Sequence, residues 1–137
     1  MRKLIAIGVL AGAMLASACS APANDTTPGQ PEFHPYRLIK AQEAKDLMGQ
    51  LTGYVIVDVR TLAEYQSGHV DGAISIPVDQ ITQLAPTKLP DLGQVIFVYC
   101  RSGARAATAS QALAQMGYSN VYDFGGIIDW PYGTVTG

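Results

Sequence analysis

Cys100-Arg101-Ser102-Gly103-Ala104-Arg105 gathers a thiol, two permanent cations and a glycine in one short run. It directly follows Val95-Ile96-Phe97-Val98-Tyr99, a continuous β-branched and aromatic stretch. Such stretches suit strands buried on both faces of a parallel sheet. With a helix expected after the run, Cys100 is expected at the carboxyl edge of a sheet, where open α/β folds hold their ligands. The first N–H groups of a helix have no helical partners and lie at the positive end of its dipole, so they can converge on an anion. Gly103 allows a tight or left-handed turn there. Arg101 and Arg105 add two charges. Each feature favours thiolate over thiol, and a thiolate is a nucleophile without a histidine as base. The bland reading is an ordinary core cysteine. A position at a strand's end, before an Arg-Ser-Gly turn, argues against it.

The elements that must hold this loop alternate. Tyr54 to Val59 is a second buried-strand run, and Ala73 to Ile76 and Val121 to Phe124 read as shorter strands. Tyr36 to Ile39 is a weaker one. Ala41, Ala44, Leu47, Met48 and Leu51 form an apolar helical stripe. Thr61 and Glu64 have capping-box spacing for a short helix that Gly68 could end. The longest helix is expected from about Gly103 to Met116, with Ala106, Ala109, Leu113 and Met116 on one face and Gly117 at the C-terminal cap. Strand–helix alternation predicts a three-layer α/β/α sandwich around a mostly parallel sheet of about five strands.

The loop resembles the C-R-S-G-x-R active loop of rhodanese-like sulfurtransferases. Further matches stand in family order. Asp58-Val59-Arg60 is similar to a D-V-R at the end of an early strand. Glu64-Tyr65 and the run from Gly68 to Pro77 resemble E-[FY] and G-H-[IV]-x-G-A-x-[NS]-[IV]-P. Gly125-Gly126 with Trp130 resembles G-G-x-x-x-W. The likeness covers nearly all of 36–137.

The resemblance implies a rhodanese-like fold and a sulfurtransferase. In that family's chemistry Cys100 would attack the sulfane sulfur of a donor such as thiosulfate or a persulfide. The resulting persulfide, held by the loop from Arg101 through Ser102, Gly103 and Ala104 to Arg105, would pass its sulfur to a thiol or cyanide. No metal or organic cofactor is implied. Arg101 is the better candidate for meeting an anionic donor. Arg105 could either meet substrate or brace the loop through Asp58 or another carboxylate. Asp58 is expected to support the loop rather than line the site, and Arg60 to share that role. Arg60 and Glu64 could pair at helical spacing. His69 reads as a structural hydrogen-bonder, His34 as solvated, and Trp130 and Tyr132 as core or rim aromatics.

The 137 residues suffice for one domain plus a targeting segment and a linker. Arg2 and Lys3 precede an uncharged run from Leu4 to Ala18, which reads as a signal peptide over 1–18. Ala16-Ser17-Ala18 fits ordinary secretory cleavage. Leu15-Ala16-Ser17-Ala18-Cys19 resembles a bacterial lipobox, with Ala16 where that family prefers Leu. The lipoprotein reading is preferred, because acylation would remove a thiol that is an oxidation liability in an exported protein. It makes Cys19 a lipid anchor on the periplasmic side of a membrane. Residues 19–35, rich in proline, read as a flexible linker, and 36–137 as the domain. Without its first 18 residues the chain carries 7 basic against 11 acidic residues. That balance gives no reason to expect nucleic acid as a partner. Two cysteines make no disulfide framework, and no Cys/His spacing suggests a zinc site. A monomer is expected.

Three rival functions are compatible with the same loop. A cysteine phosphatase or arsenate reductase would need five residues between Cys and Arg, whereas four separate Cys100 from Arg105. A non-catalytic rhodanese-like contact module often lacks the cysteine, which this chain keeps. A persulfide carrier or redox sensor would use the same thiol and turn over poorly.

Overall fold

The computed structural model describes residues 35–137. The expected signal peptide, the acylated Cys19, His34 and all but the last residue of the linker lie outside the described residues.

The described residues contain five strands: β1 (Arg37–Leu38), β2 (Val55–Asp58), β3 (Ile74–Ser75), β4 (Val95–Cys100) and β5 (Asn120–Gly126). They form one sheet in the order β1-β5-β4-β2-β3. Every neighbouring pair is parallel. The four helices are α1 (Ala41–Gln50), α2 (Leu62–Ser67), α3 (Ile81–Lys88) and α4 (Ala104–Gln115). Single 3-10 turns at Val78–Gln80 and Ile127–Asp129 complete the chain.

Side chains alternate across a strand with period two, and this rule divides the interior. Val57, Ile96, Val98 and Cys100 face one layer, where they pack with Ile81 and Ala85 of α3 and Ala106, Ala109 and Leu113 of α4. Ile56, Phe97, Tyr99 and Phe124 face the other, with Ala44 of α1 and Trp130. Both faces of β4 are therefore covered, which is why its sequence reads as an unbroken apolar run. Burying a side chain such as Phe97 or Leu113 contributes about 1.5–3 kcal/mol each. The three-layer sandwich expected from the sequence is the observed architecture.

Local signals mostly act where they were read. α2 starts with a capping box: the Glu64 N–H donates to Thr61 Oγ1 at 3.2 Å, and the Thr61 N–H donates back to Glu64 Oε1 at 3.4 Å. Gly68 follows its last turn. α4 buries Ala106, Ala109, Ser110, Leu113 and Ala114, a face of mostly small residues that sits close to the sheet. Gly117, at φ +97°, closes that helix while the Tyr118 N–H donates to the Leu113 carbonyl at 3.2 Å, a Schellman arrangement.

One helix has no counterpart in the sequence reading. α3 carries Pro86 inside it, and Pro77 and Pro90 flank it. Prolines argue against helix on local grounds. Burial of Ile81 and Ala85 against the sheet outweighs that cost.

Candidate functional site

The chain reverses sharply where β4 ends. Cys100 is the last residue of the strand, three residues separate it from α4, and Gly103 is the helix N-cap at φ +113°. A positive φ of that size favours glycine, so the loop needs a residue without a Cβ at this point. The Gly103 N–H donates to Cys100 Sγ across 3.0 Å. Among the described residues no side chain caps α4, so its first-turn donors and the positive end of its dipole remain available to an anion at this edge. Cys100 is 1% exposed, while Arg101, Ser102 and Ala104 are exposed and Gly103 and Arg105 half-buried. The expected loop residues are thus brought together in one place.

β5 supplies the floor of the loop. Cys100 lies opposite Gly126, beside a shift of register between Val98 and Cys100. The Arg101 carbonyl accepts from the Ile128 N–H at 3.3 Å. A Cβ on Gly126 would collide with that same carbonyl oxygen and lie 2.7 Å from Ser102 Cα. Gly126 is therefore required by close approach of two backbones rather than by its own dihedral angle. The sequence showed this glycine only as part of a Gly-Gly pair and assigned it no role.

Two ion pairs brace the edge, and their partners differ from one expectation. Arg60 and Glu64 are not paired with each other. Arg60 turns back onto Asp58, with Nε 3.0 Å from Oδ1 and Nη2 2.6 Å from Oδ2, and Nη2 also donates to the Gly68 carbonyl. Asp58 is fully buried and also accepts from the Arg60 N–H and from the Tyr99 hydroxyl, at 2.9 and 2.8 Å. Tyr99 in turn accepts from the Val70 N–H at 3.0 Å. Burial, opposed by that Val70 bond, drives the Tyr99 pKa upward, and the neighbouring Asp58 adds to it. Burial works against the charge of Arg60, but the Asp58 carboxylate outweighs it and the guanidinium pKa rises. Asp58 thus ties β2 to the residue before Cys100 and to the turn at 68–70.

Glu64 is instead the partner of Arg105. Arg105 Nη1 and Nη2 reach Oε1 and Oε2 at 2.8 and 3.0 Å, a bidentate pair between α2 and α4. The Arg105 hydrogen bonds hold the Glu64 carboxyl at about 2, down from 4.5, against a smaller opposing effect of burial. Arg105 braces through a carboxylate, and that carboxylate is not Asp58. Chain spacing allows Arg60 to pair with Glu64, whereas Arg60 in fact supports the edge through Asp58. The long-range pair wins because Glu64 is already fixed by its capping box and Arg105 projects over the same edge.

His69 is buried, donates from Nδ1 to the Tyr65 carbonyl at 2.8 Å and stacks on the Tyr65 ring. Its backbone pairs with Val135 in both directions. Trp130 is in the core and Tyr132 on its rim, with ring centroids 4.8 Å apart. Asp123, buried on β5, accepts from the Gly125 N–H at 2.8 Å, and burial raises its pKa. It was not singled out from sequence.

The family model for the rhodanese-like domain matches residues 40–131. The chain belongs to the rhodanese-like domain family. It is 38% identical over 73 residues to the thiosulfate sulfurtransferase PspE of Escherichia coli, covering 53% of this chain and 70% of that one. It is also 40% identical over 81 residues to the tRNA uridine(34) hydroxylase of Erwinia tasmaniensis, which takes in 56% of this chain. The shared stretch is only 23% of that enzyme's length. Among solved structures, a rhodanese with anions from E. coli superposes with a TM-score of 0.58 at 36% identity, covering 61% of this chain and 99% of that one. The rhodanese-like fold expected from the loop and its companion motifs is the fold observed.

Two expectations follow from this geometry. Gly126→Ala forces the Arg101–Ser102 backbone aside and destabilises the domain by about 1–3 kcal/mol in urea unfolding. Gly49→Ala, on α1 with open space around it, does not destabilise it. The Glu64 carboxyl is held below its unfolded value, so its contribution is present above pH 4.5 and fades as pH falls toward 2. Both side chains are about a third exposed. Solvent screening limits the pair to about 0.5–1 kcal/mol. The difference in urea midpoint between wild type and Glu64→Gln should shrink over that interval. A constant difference would contradict the assignment.

Proposed function

We propose that this chain is a sulfurtransferase that carries sulfane sulfur as a persulfide on Cys100. The observation that carries the reading is the Gly103 N–H aimed at Cys100 Sγ from the uncapped start of α4. Membership of the rhodanese-like family and a relative named thiosulfate sulfurtransferase support it. In the first half-reaction the Cys100 thiolate attacks the outer sulfur of thiosulfate. A bond forms between Sγ and that sulfur, the donor's S–S bond breaks, and sulfite leaves with the electron pair. In the second, the cyanide carbon attacks the terminal sulfur. Thiocyanate leaves and the thiolate is restored. A thiol can take the place of cyanide.

The Gly103 N–H and the uncapped start of α4 serve both steps, offsetting the charge on the terminal persulfide sulfur as it forms and as it is attacked. Arg101, exposed beside the loop, meets the anionic donor. A phosphatase reading fares worse, because Arg105 is engaged by Glu64 rather than turned to an anion. Thiosulfate-dependent production of thiocyanate from cyanide tests the proposal. Wild type should turn over and Cys100→Ser should fall to background. Equal rates in the two proteins would remove Cys100 from the reaction.

Export and acylation at Cys19 belong to the same proposal. They predict that native protein sediments with membranes and that Cys19→Ser releases it. Soluble wild-type protein with Cys19 unmodified would refute that anchor.

A further inference from the structure

Glu64 stands on α2, outside the cysteine loop, yet it takes one hydrogen bond from each terminal nitrogen of Arg105. The other carboxylate at this edge, Asp58, is paired with Arg60. Two arginines stand in the loop, and among the described residues Arg105 is paired with a carboxylate while Arg101 is not. The Arg105–Glu64 pair lies at the rim, with its side chains 34% and 32% exposed, so an incoming anion can compete for Arg105. Arg105 stands in the first turn of α4, two residues after Gly103, whose N–H meets the Cys100 sulfur.

Coulomb attraction scales with the product of the charges. An unpaired second arginine would therefore help a dianion about twice as much as a monoanion on a logarithmic scale. We propose that Glu64 is a specificity-determining residue that neutralises Arg105 and so tunes the Cys100 loop toward monoanionic organic persulfides over dianionic donors such as thiosulfate. This rests on the reading of Cys100 as the sulfur acceptor. For such a donor, Sγ bonds to the outer sulfur, the donor's S–S bond breaks, and the donor's thiolate leaves with the electron pair.

The test first reads anion binding without any sulfur transfer. The neutral reagent iodoacetamide alkylates Cys100 in the full chain, and bound sulfate or nitrate slows it. In Glu64→Gln, the sulfate concentration giving half protection falls roughly fivefold, the scale of a partly exposed pair, and that of nitrate only about twofold. In parallel, the ratio of kcat/KM for thiosulfate to that for cysteine persulfide rises about 2.5-fold, the quotient of those two shifts. Thr61→Ala removes the other half of the capping box and leaves both charges in place. It should keep the wild-type anion preference while losing stability. Glu64→Ala, a second neutral variant, should repeat the Gln result. The inference is overturned if sulfate and nitrate shift equally, if neither shifts, or if Thr61→Ala reproduces the change. A protein that shows the expected anion shifts and yet loads no sulfur refutes the reading of Cys100 as acceptor instead.

Discussion

A single backbone N–H, that of Gly103, points at the sulfur of Cys100 from 3.0 Å, and the rest of the domain can be understood as what keeps it there. The arrangement needs a strand to end and a helix to begin within three residues, with a left-handed residue between them. The start of α4 carries no side-chain cap, so its N-terminal N–H groups remain available to an anion beside the sulfur. β5 then has to approach so closely that no side chain fits at Gly126. Cys100 is buried, while Arg101, Ser102 and Ala104 beside it are exposed. The Gly103 N–H and the start of α4 are already in place beside the sulfur, so they need no reorganisation if charge develops there.

The two ion pairs differ in kind. Asp58–Arg60 is buried, and its remaining acceptor capacity is taken up by the Tyr99 hydroxyl and the Arg60 N–H. Removing one partner of such a pair leaves an uncompensated charge and costs on the order of 3–5 kcal/mol. Its function is to fix Tyr99, and through it the position of the following residue, Cys100. Glu64–Arg105 lies at the surface, is screened by solvent and contributes little stability. Its consequence is electrostatic, since it decides how much positive charge the loop presents.

Much of this was legible in the sequence because the signals were local. The apolar run of β4 and the β-branched run Val55–Val57 of β2 announced strands covered on both faces, and the Thr61–Glu64 spacing and Gly117 announced caps. The loop residues are contiguous, so their meeting at one sheet edge required only a strand, a turn and a helix in that order. What was not legible depends on tertiary packing. α3 forms despite Pro86, because Ile81 and Ala85 find the core. Arg60 and Glu64 suggested each other by spacing, whereas residues distant in the chain or fixed by a neighbouring strand claimed them. The role of Gly126 exists only once β5 lies under Arg101 and Ser102. Tyr99 gave no sign that its hydroxyl would join Asp58 to the Val70 backbone. Period-two alternation does place its ring on the face opposite Cys100.

If Cys100 is the sulfur acceptor, sulfur from a donor becomes covalently bound to it inside the loop. Intact-mass spectrometry of the chain mixed with thiosulfate, followed by peptide mapping, detects that bond. A gain of one sulfur atom is expected on the peptide containing Cys100, lost again on adding cyanide. A chain that gains no sulfur, or gains it elsewhere and equally in Cys100→Ser, would contradict it.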